Sequence, residues 1–161
     1  MRNEAEVCRA IHRYADTVRR ICFMRLKNHS DVEDIFQEVF MKYALHNVPF
    51  ESDDHERAWL IRVAINSCKD VLKSFFRSRV SSFDELYEEP FYLHEHESEV
   101  LSVILKLPKN YRDVIYLHYF EGYSAVQIAK ILGRKENTVY TWLDRARKKL
   151  KEWLGGEQVG E

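Results

Sequence analysis

Apolar residues recur at three- and four-residue intervals along almost the whole chain, the spacing of one helical face. Val7, Ile11, Tyr14, Val18, Ile21 and Cys22 predict a first helix that ends near Lys27. Ser30 followed by Glu33 has the form of a capping box. It opens a second helix with Val32, Ile35, Phe36, Val39, Phe40 and Tyr43 on one side. Pro49 and the Asp53-Asp54 cluster interrupt that pattern. A third helix is expected from about His55 to Arg77, with Trp59, Leu60, Val63, Ala64, Val71 and Leu72 facing inward. Further on, Val100, Leu101, Ile104 and Leu105 predict a short helix stopped by Pro108. Tyr111 to Phe120 predicts another, stopped by Gly122, although Val114–Phe120 taken alone also fits a strand.

The last third carries the sharpest local signal. Ser124 and Gln127 form a second capping box, followed by Ala125, Ile128, Ala129 and Ile131. Leu132-Gly133-Arg134 then makes a tight turn, where glycine takes the left-handed conformation at little cost. A longer basic helix follows, with Val139, Leu143, Ala146 and Leu150 inward. Short helix, glycine turn and basic helix together are the signature of a helix-turn-helix. Trp142 lies close to the apolar side and is expected to contribute to the core. The expected fold is all-α: two small helical domains, the C-terminal one a winged-helix-like helix-turn-helix.

Charge changes this picture by separating the two halves. The 161 residues carry 25 Lys and Arg against 26 Asp and Glu, a net charge of −1. Residues 81–105, however, hold seven acidic groups and no Lys or Arg, whereas residues 57–79 hold six basic to one acidic and residues 130–151 eight to two. A like-charged stretch with a proline reads as an extended tether. The expected division is therefore residues 1–80, an acidic linker 81–98, a second domain 99–155 and a tail 156–161. Phe83, Leu86, Tyr87, Phe91 and Tyr92 within the linker suit partial docking onto a neighbour.

Composition excludes several classes. Only five Gly and three Pro argue against turn-rich β folds. No apolar run reaches the roughly 18–20 residues of a membrane span, and the polar, acidic first residues are unlike a secretory signal, so a cytoplasmic protein without membrane insertion is expected. Cys8, Cys22 and Cys68 suit reduced, buried thiols better than a disulfide frame or zinc site. Seven His include the pair His94 and His96 around Glu95, but two histidines in an acidic stretch lack a closed ligand set. No glycine-rich phosphate loop or nucleophile elbow occurs. Neither enzymatic activity nor a cofactor is expected.

The outward side of the last helix presents Tyr140, Thr141, Asp144, Arg145 and Lys148 as groups able to read base edges or grip phosphates. Arg147, Lys148, Lys149 and Lys151 suit phosphate neutralisation, which adds affinity without sequence information.

These residues resemble a family. Gly122-Tyr123-Ser124, Gln127-Ile128-Ala129 and Leu132-Gly133, then Asn137-Thr138-Val139, Trp142-Leu143 and Arg145-Ala146-Arg147, are similar to the −35-reading module of bacterial extracytoplasmic-function (ECF) sigma factors. Asp31 to Phe40 resembles the family's polymerase-binding helix, and Ala58 to Asn66 its −10-reading helix. Leu107-Pro108, with Tyr111-Arg112, resembles the entry to its fourth region. The resemblance covers about residues 10–155 and implies the following division of labour. Asp34, Gln37, Glu38 and Phe40 dock on the coiled coil of the polymerase's largest subunit, and the flap is a further contact of the core enzyme. Asn66 and the loop near residues 46–55 hold a flipped −10 base, while Arg62, Lys69, Lys73, Arg77 and Arg79 follow phosphates and Phe75 or Phe76 offers stacking. Lys135, Asn137, Thr138, Tyr140, Thr141, Asp144, Arg145 and Lys148 meet −35 duplex. An anti-sigma protein is a possible further partner, with the linker's apolar residues as its contact. Lys135 stands where the family often has a capping Ser or Thr, Arg134 where it is often apolar, and Tyr140 where it is often basic. These departures bear on which −35 sequence is read. A stand-alone helix-turn-helix regulator is the alternative, and it leaves the N-terminal motifs without a role.

Overall fold

The computed structural model describes residues 1–26, 28–78 and 95–154, and side chains for 1–26, 28–71 and 100–154. Arg79, the acidic stretch up to His94, and the side chains of Lys73, Phe75, Phe76 and Arg77 lie outside that description. The chain divides into two compact units, residues 1–92 and 93–161. Among the described residues there are seven α-helices and no strand. The likeness to a winged helix is thus confined to helices.

The N-terminal unit contains α1 (Glu4–Leu26), α2 (His29–Leu45) and α3 (Asp53–Ser78), each packed against the other two. Its core comprises Tyr14, Val18, Ile21 and Phe23 from α1, Val32, Ile35, Val39, Phe40 and Tyr43 from α2, and Leu60, Ile61, Ala64 and Ile65 from α3. The inward side of α3 is rotated from the expected one. Ile61, Ile65 and Cys68 are buried, while Trp59, Val63 and Val71 are half-buried.

Two local expectations are corrected here. The cap of α2 is Asn28, whose Oδ1 accepts from the Asp31 amide at 3.1 Å; Ser30 already lies inside the helix. Glu33 instead accepts two bonds from Arg19, at 2.9 and 3.1 Å, and the same guanidinium sits 3.9 Å over the Phe36 ring. A bidentate, charge-assisted partner on α1 outcompetes a single local amide. Of the cysteines, Cys22 and Cys68 are buried, but Cys8 is exposed on α1. A hydrogen bond with Cys68, together with burial, raises the Cys22 thiol pKa well above its ordinary value.

The C-terminal unit contains α4 (Glu95–Ile104), α5 (Lys109–Tyr119), α6 (Ala125–Leu132) and α7 (Glu136–Trp153). α4 begins within the stretch expected to be tether. Val114–Tyr119 is helical, and its Val114, Ile115, Tyr116 and Leu117 are buried. Four consecutive buried residues mimic a strand in sequence because α5 is covered on more than one side, by α4, α6 and α7. The Tyr116 hydroxyl of α5 donates to the buried carboxylate of Glu121, just past the helix end, at 2.6 Å.

Candidate functional site

The helix-turn-helix forms as its residues predict. The Gln127 amide donates to Ser124 Oγ at 3.2 Å, and the Ser124 amide donates to Gln127 Oε1 at 2.9 Å, so the capping box is complete. Gly133 adopts φ 67° and ψ 39°, and its amide and that of Arg134 both return to Ala129 O. A Cβ at Gly133 would meet nothing within 4 Å. Gly133→Ala is therefore expected to cost only the backbone strain of the left-handed region, about 1–2 kcal/mol. Urea unfolding of the full chain, followed through the C-terminal unit, measures it; an unchanged midpoint would contradict this account of the turn.

On α7, Val139, Leu143, Ala146 and Leu150 are buried. Lys135, Asn137, Tyr140, Thr141, Asp144, Arg145 and Lys148 are exposed on the opposite side, with Thr138 half-buried at its edge. Lys135 is the N-cap and supplies no side-chain bond, so the first amides of α7 stay open to an acceptor. Val126, Ala129, Lys130, Arg134, Lys135, Glu136 and Asn137 line a depression of about 480 Å³ at this helix start. Three cations beside a helix N-terminus suit a phosphate.

Three polar groups are partly committed. Asp144 pairs with Lys148 at 3.1 Å rather than orienting Arg145, Thr141 donates to Asn137 O at 2.9 Å, and Arg147 Nε donates to the Tyr119 hydroxyl at 2.7 Å. Arg147, expected to serve phosphates, thus ties α7 to α5. Trp142 is half-buried, with the Arg134 guanidinium 5.6 Å from its ring, so it is a shoulder of the core.

In the N-terminal unit, Asp34, Gln37, Glu38, Met41, Lys42, Ser67, Asp70 and Val71 line a groove of about 650 Å³ between α2 and α3. At 3.6 residues per turn, positions 34, 37, 38 and 41 fall within an arc of about 100°. Phe40 falls outside that arc. It is only 4% exposed and packs against Phe36 and Tyr43, so the expectation that it is presented to a partner is corrected: it is a core residue beneath the groove. Met41, 64% exposed, was missed. The signal was available, since Met41 continues the helical row of Asp34, Gln37 and Glu38. Lys42 Nζ reaches both Glu38 Oε2 and Ser67 Oγ, each at 3.1 Å, and holds the groove's two walls together. Burial opposes the Glu38 charge, but bonding by Ser67 and Lys42 outweighs it and lowers the carboxyl pKa.

Along α3, Arg62 and Asn66 are exposed and Lys69 is half-buried, opposite the buried Leu60, Ala64 and Cys68. Helical register adds positions 73 and 77 to the same stripe. Trp59 also belongs to this side, two turns and roughly 10 Å before Asn66 along the axis. It marks an aromatic cluster in the α2–α3 loop: ring centroids lie 4.6 Å apart for His46–Trp59, 5.3 Å for His46–Phe50 and 5.6 Å for Phe50–Trp59. Behind it the Tyr43 hydroxyl donates to the buried Glu56 carboxylate at 2.6 Å. Burial and that bond raise the Tyr43 pKa to about 12. Sequence spacing did not reveal the cluster, because its members come from two helices and a loop.

Among the described residues no group of three or more His, Cys, Asp or Glu could hold a metal ion, and no helix is long and apolar enough to cross a membrane.

A groove with acidic and apolar walls, an exposed row of Arg62 and Asn66 near aromatic rings, and a helix-turn-helix in a separate unit suit a promoter-recognition subunit. Residues 10–80 match sigma-70 region 2, and residues 97–150 match sigma-70 region 4. The chain belongs to the sigma-70 family, as an ECF sigma factor. It is 28% identical over 158 residues to the ECF RNA polymerase sigma factor SigW of Bacillus subtilis strain 168, covering 88% of this chain and 84% of SigW. It is 29% identical over 140 residues to SigZ of the same organism, covering 82% and 77%. In fold it resembles the sigma factor RpoE of Bartonella quintana, solved with the anti-sigma factor NepR, at a TM-score of 0.77 and 21% identity over 95% of this chain and 99% of that one. As a sigma factor the protein works with core RNA polymerase on promoter DNA and directs promoter-specific initiation. The region 2 match accounts for the half of the chain that a stand-alone helix-turn-helix regulator leaves unexplained.

Proposed function

We propose a residue-level division of this work. The α2–α3 groove, with Asp34, Gln37, Glu38 and Met41, docks on the coiled coil of the polymerase's largest subunit; an acidic rim around an exposed methionine suits a basic, amphipathic helix. The C-terminal unit sits at the flap and reads −35 duplex through Lys135, Asn137, Thr138, Tyr140, Thr141, Asp144, Arg145 and Lys148. Asn66 and the loop near residues 46–55 hold an unpaired −10 base, while Arg62, Lys69, Lys73 and Arg77 follow phosphates. Domain limits of 1–80 and 99–155, and an anti-sigma partner on the intervening acidic segment, belong to the same reading.

The observation that carries it is the placement of Asn66. Its amide, donor and acceptor both, is exposed in line with Trp59, with Arg62 and Lys69 within about one turn of it, and the α2–α3 groove begins alongside at Ser67 and Asp70. No covalent chemistry is involved. Holoenzyme favours the open promoter because it binds the unpaired state better than the duplex. The net charge of −1 fits a factor that binds DNA weakly until mounted on core.

Transcription from a genomic fragment library, with bacterial core enzyme and this chain, tests the reading and supplies the promoters. On those promoters Asn66→Ala is expected to slow opening about tenfold, the loss of one well-placed bidentate base contact, while core affinity stays within a factor of two. Normal opening by this variant would remove Asn66 from the reading site.

A further inference from the structure

Ahead of α1, the second residue of the chain reaches into the −10 side of the molecule. The Arg2 amide donates to Ala44 O at 2.8 Å, in the last turn of α2, and Arg2 Nη2 donates to Val48 O at 2.9 Å, in the following loop. Its guanidinium carbon lies 4.7 Å from the Tyr43 ring centre and 4.9 Å from that of Phe50. Those two rings are nearly parallel, 6.1 Å apart and 8° from coplanar orientation. Phe50 in turn contacts His46, His55 and Trp59. One side chain therefore touches the backbone of the loop and the ring at the centre of its aromatic cluster.

Arg2 is itself held. Asn3 and Glu6 cap α1 reciprocally: the Asn3 amide donates to Glu6 Oε2 at 3.0 Å and the Glu6 amide to Asn3 Oδ1 at 2.9 Å. The backbone is thus fixed one residue after Arg2. The far end of the loop is also fastened to α1, through Arg13 to Asp53 at 2.8 Å and the Tyr14 hydroxyl to Asp53 O at 3.3 Å. Between those anchors the loop contains Pro49, which has no amide hydrogen to donate, and the Val48 carbonyl before it accepts from Arg2.

We propose that Arg2 is a positioning residue for −10 recognition: it clamps Val48 O and the Phe50 ring so that the 46–52 loop is preorganised for an unpaired base. The proposal rests on the assignment of that loop and Asn66 to the −10 strand. Preorganisation matters because a loop ordered only on binding spends part of its contact energy on ordering. Arginine suits the role better than lysine, since its planar fork donates to a carbonyl while its face covers a ring.

The test uses holoenzyme reconstituted from bacterial core and the full chain. Its probe is a promoter from the library selection above, with the −10 segment held open by mismatches. Initiation is compared on the matched −10 sequence and on one carrying a single-base change. Arg2→Ala and Arg2→Gln are expected to reduce the matched-to-changed ratio about two- to fivefold, the range of an accessible cation–π contact. Arg2→Lys recovers part of the ratio. A role in stability alone lowers both templates equally and leaves the ratio unchanged, which would overturn the proposal. The Asn66→Ala variant separates the two failures. If it lowers the ratio while every Arg2 variant leaves it intact, Arg2 is not a positioning residue and the −10 assignment stands. If Asn66→Ala also leaves it intact, the −10 assignment falls and the clamp with it.

Discussion

Glu38→Lys is expected to weaken binding to core polymerase by about ten- to a hundredfold, the loss typical of reversing a charge at a complementary interface. Glu38 lines the groove with Asp34, Asp70 and Met41, so reversal removes one negative charge and adds a positive one where a basic helix is to dock. The same change also sets a lysine four residues before Lys42, in place of an ion pair that is about half exposed. A pair so exposed contributes little, and the like-charge penalty is only about 0.2–0.5 kcal/mol. Folding should therefore be nearly unaffected while docking suffers, which an anisotropy titration of labelled chain with core measures. The charge is also robust to pH. Because the Glu38 pKa is lowered in the folded protein, its ionised form persists down through the ordinary carboxylate range and is lost only as pH falls through the lowered value. Wild-type core binding should therefore lose nothing through Glu38 between pH 8 and 6. Unaltered core affinity in the variant would remove this groove from the docking surface.

Phe40→Ala, two positions along the same helix, should behave in the opposite way. Phe40 is buried between Phe36 and Tyr43, and emptying such a site costs about 3–5 kcal/mol through lost burial and the cavity left behind. Denaturant unfolding of the N-terminal unit should register that loss, whereas the folded fraction should bind core with nearly wild-type affinity. A stable Phe40→Ala variant with weakened docking would return Phe40 to the surface role that the sequence resemblance implied. The two variants together separate what α2 presents from what it rests on.

Much of the fold was legible because helix formation leaves local traces. Ser124, Gln127 and Gly133 form the predicted cap and turn, since every partner they need lies within five residues. The inward row of α7 was readable for the same reason: Val139, Leu143, Ala146 and Leu150 repeat on one face with nothing competing for them. The α2 cap was misread because Glu33 had a stronger partner on α1, fourteen residues away, which spacing within one helix does not reveal. The inward side of α3 was misjudged because Val63 and Ile65 are equally apolar and only packing against α1 and α2 distinguishes them. The α5 core was ambiguous because a helix covered by several neighbours loses the polar stripe that marks its period.

The site divides along the same line. Local pattern alone established the all-helical class, the helix-turn-helix, the segregation of charge and the outward row of α7, because each is read within one stretch of chain, whereas the candidate residues on α2 and α3 came from the family resemblance. Packing between elements settled the rest. It moved Phe40 inward, set Met41 on the groove, committed Asp144 to Lys148, and brought Arg2, Tyr43, Phe50 and Trp59 into one cluster. Those outcomes turn on which side of each helix its neighbours cover and on partners far apart in the chain, and no single stretch of residues encodes either.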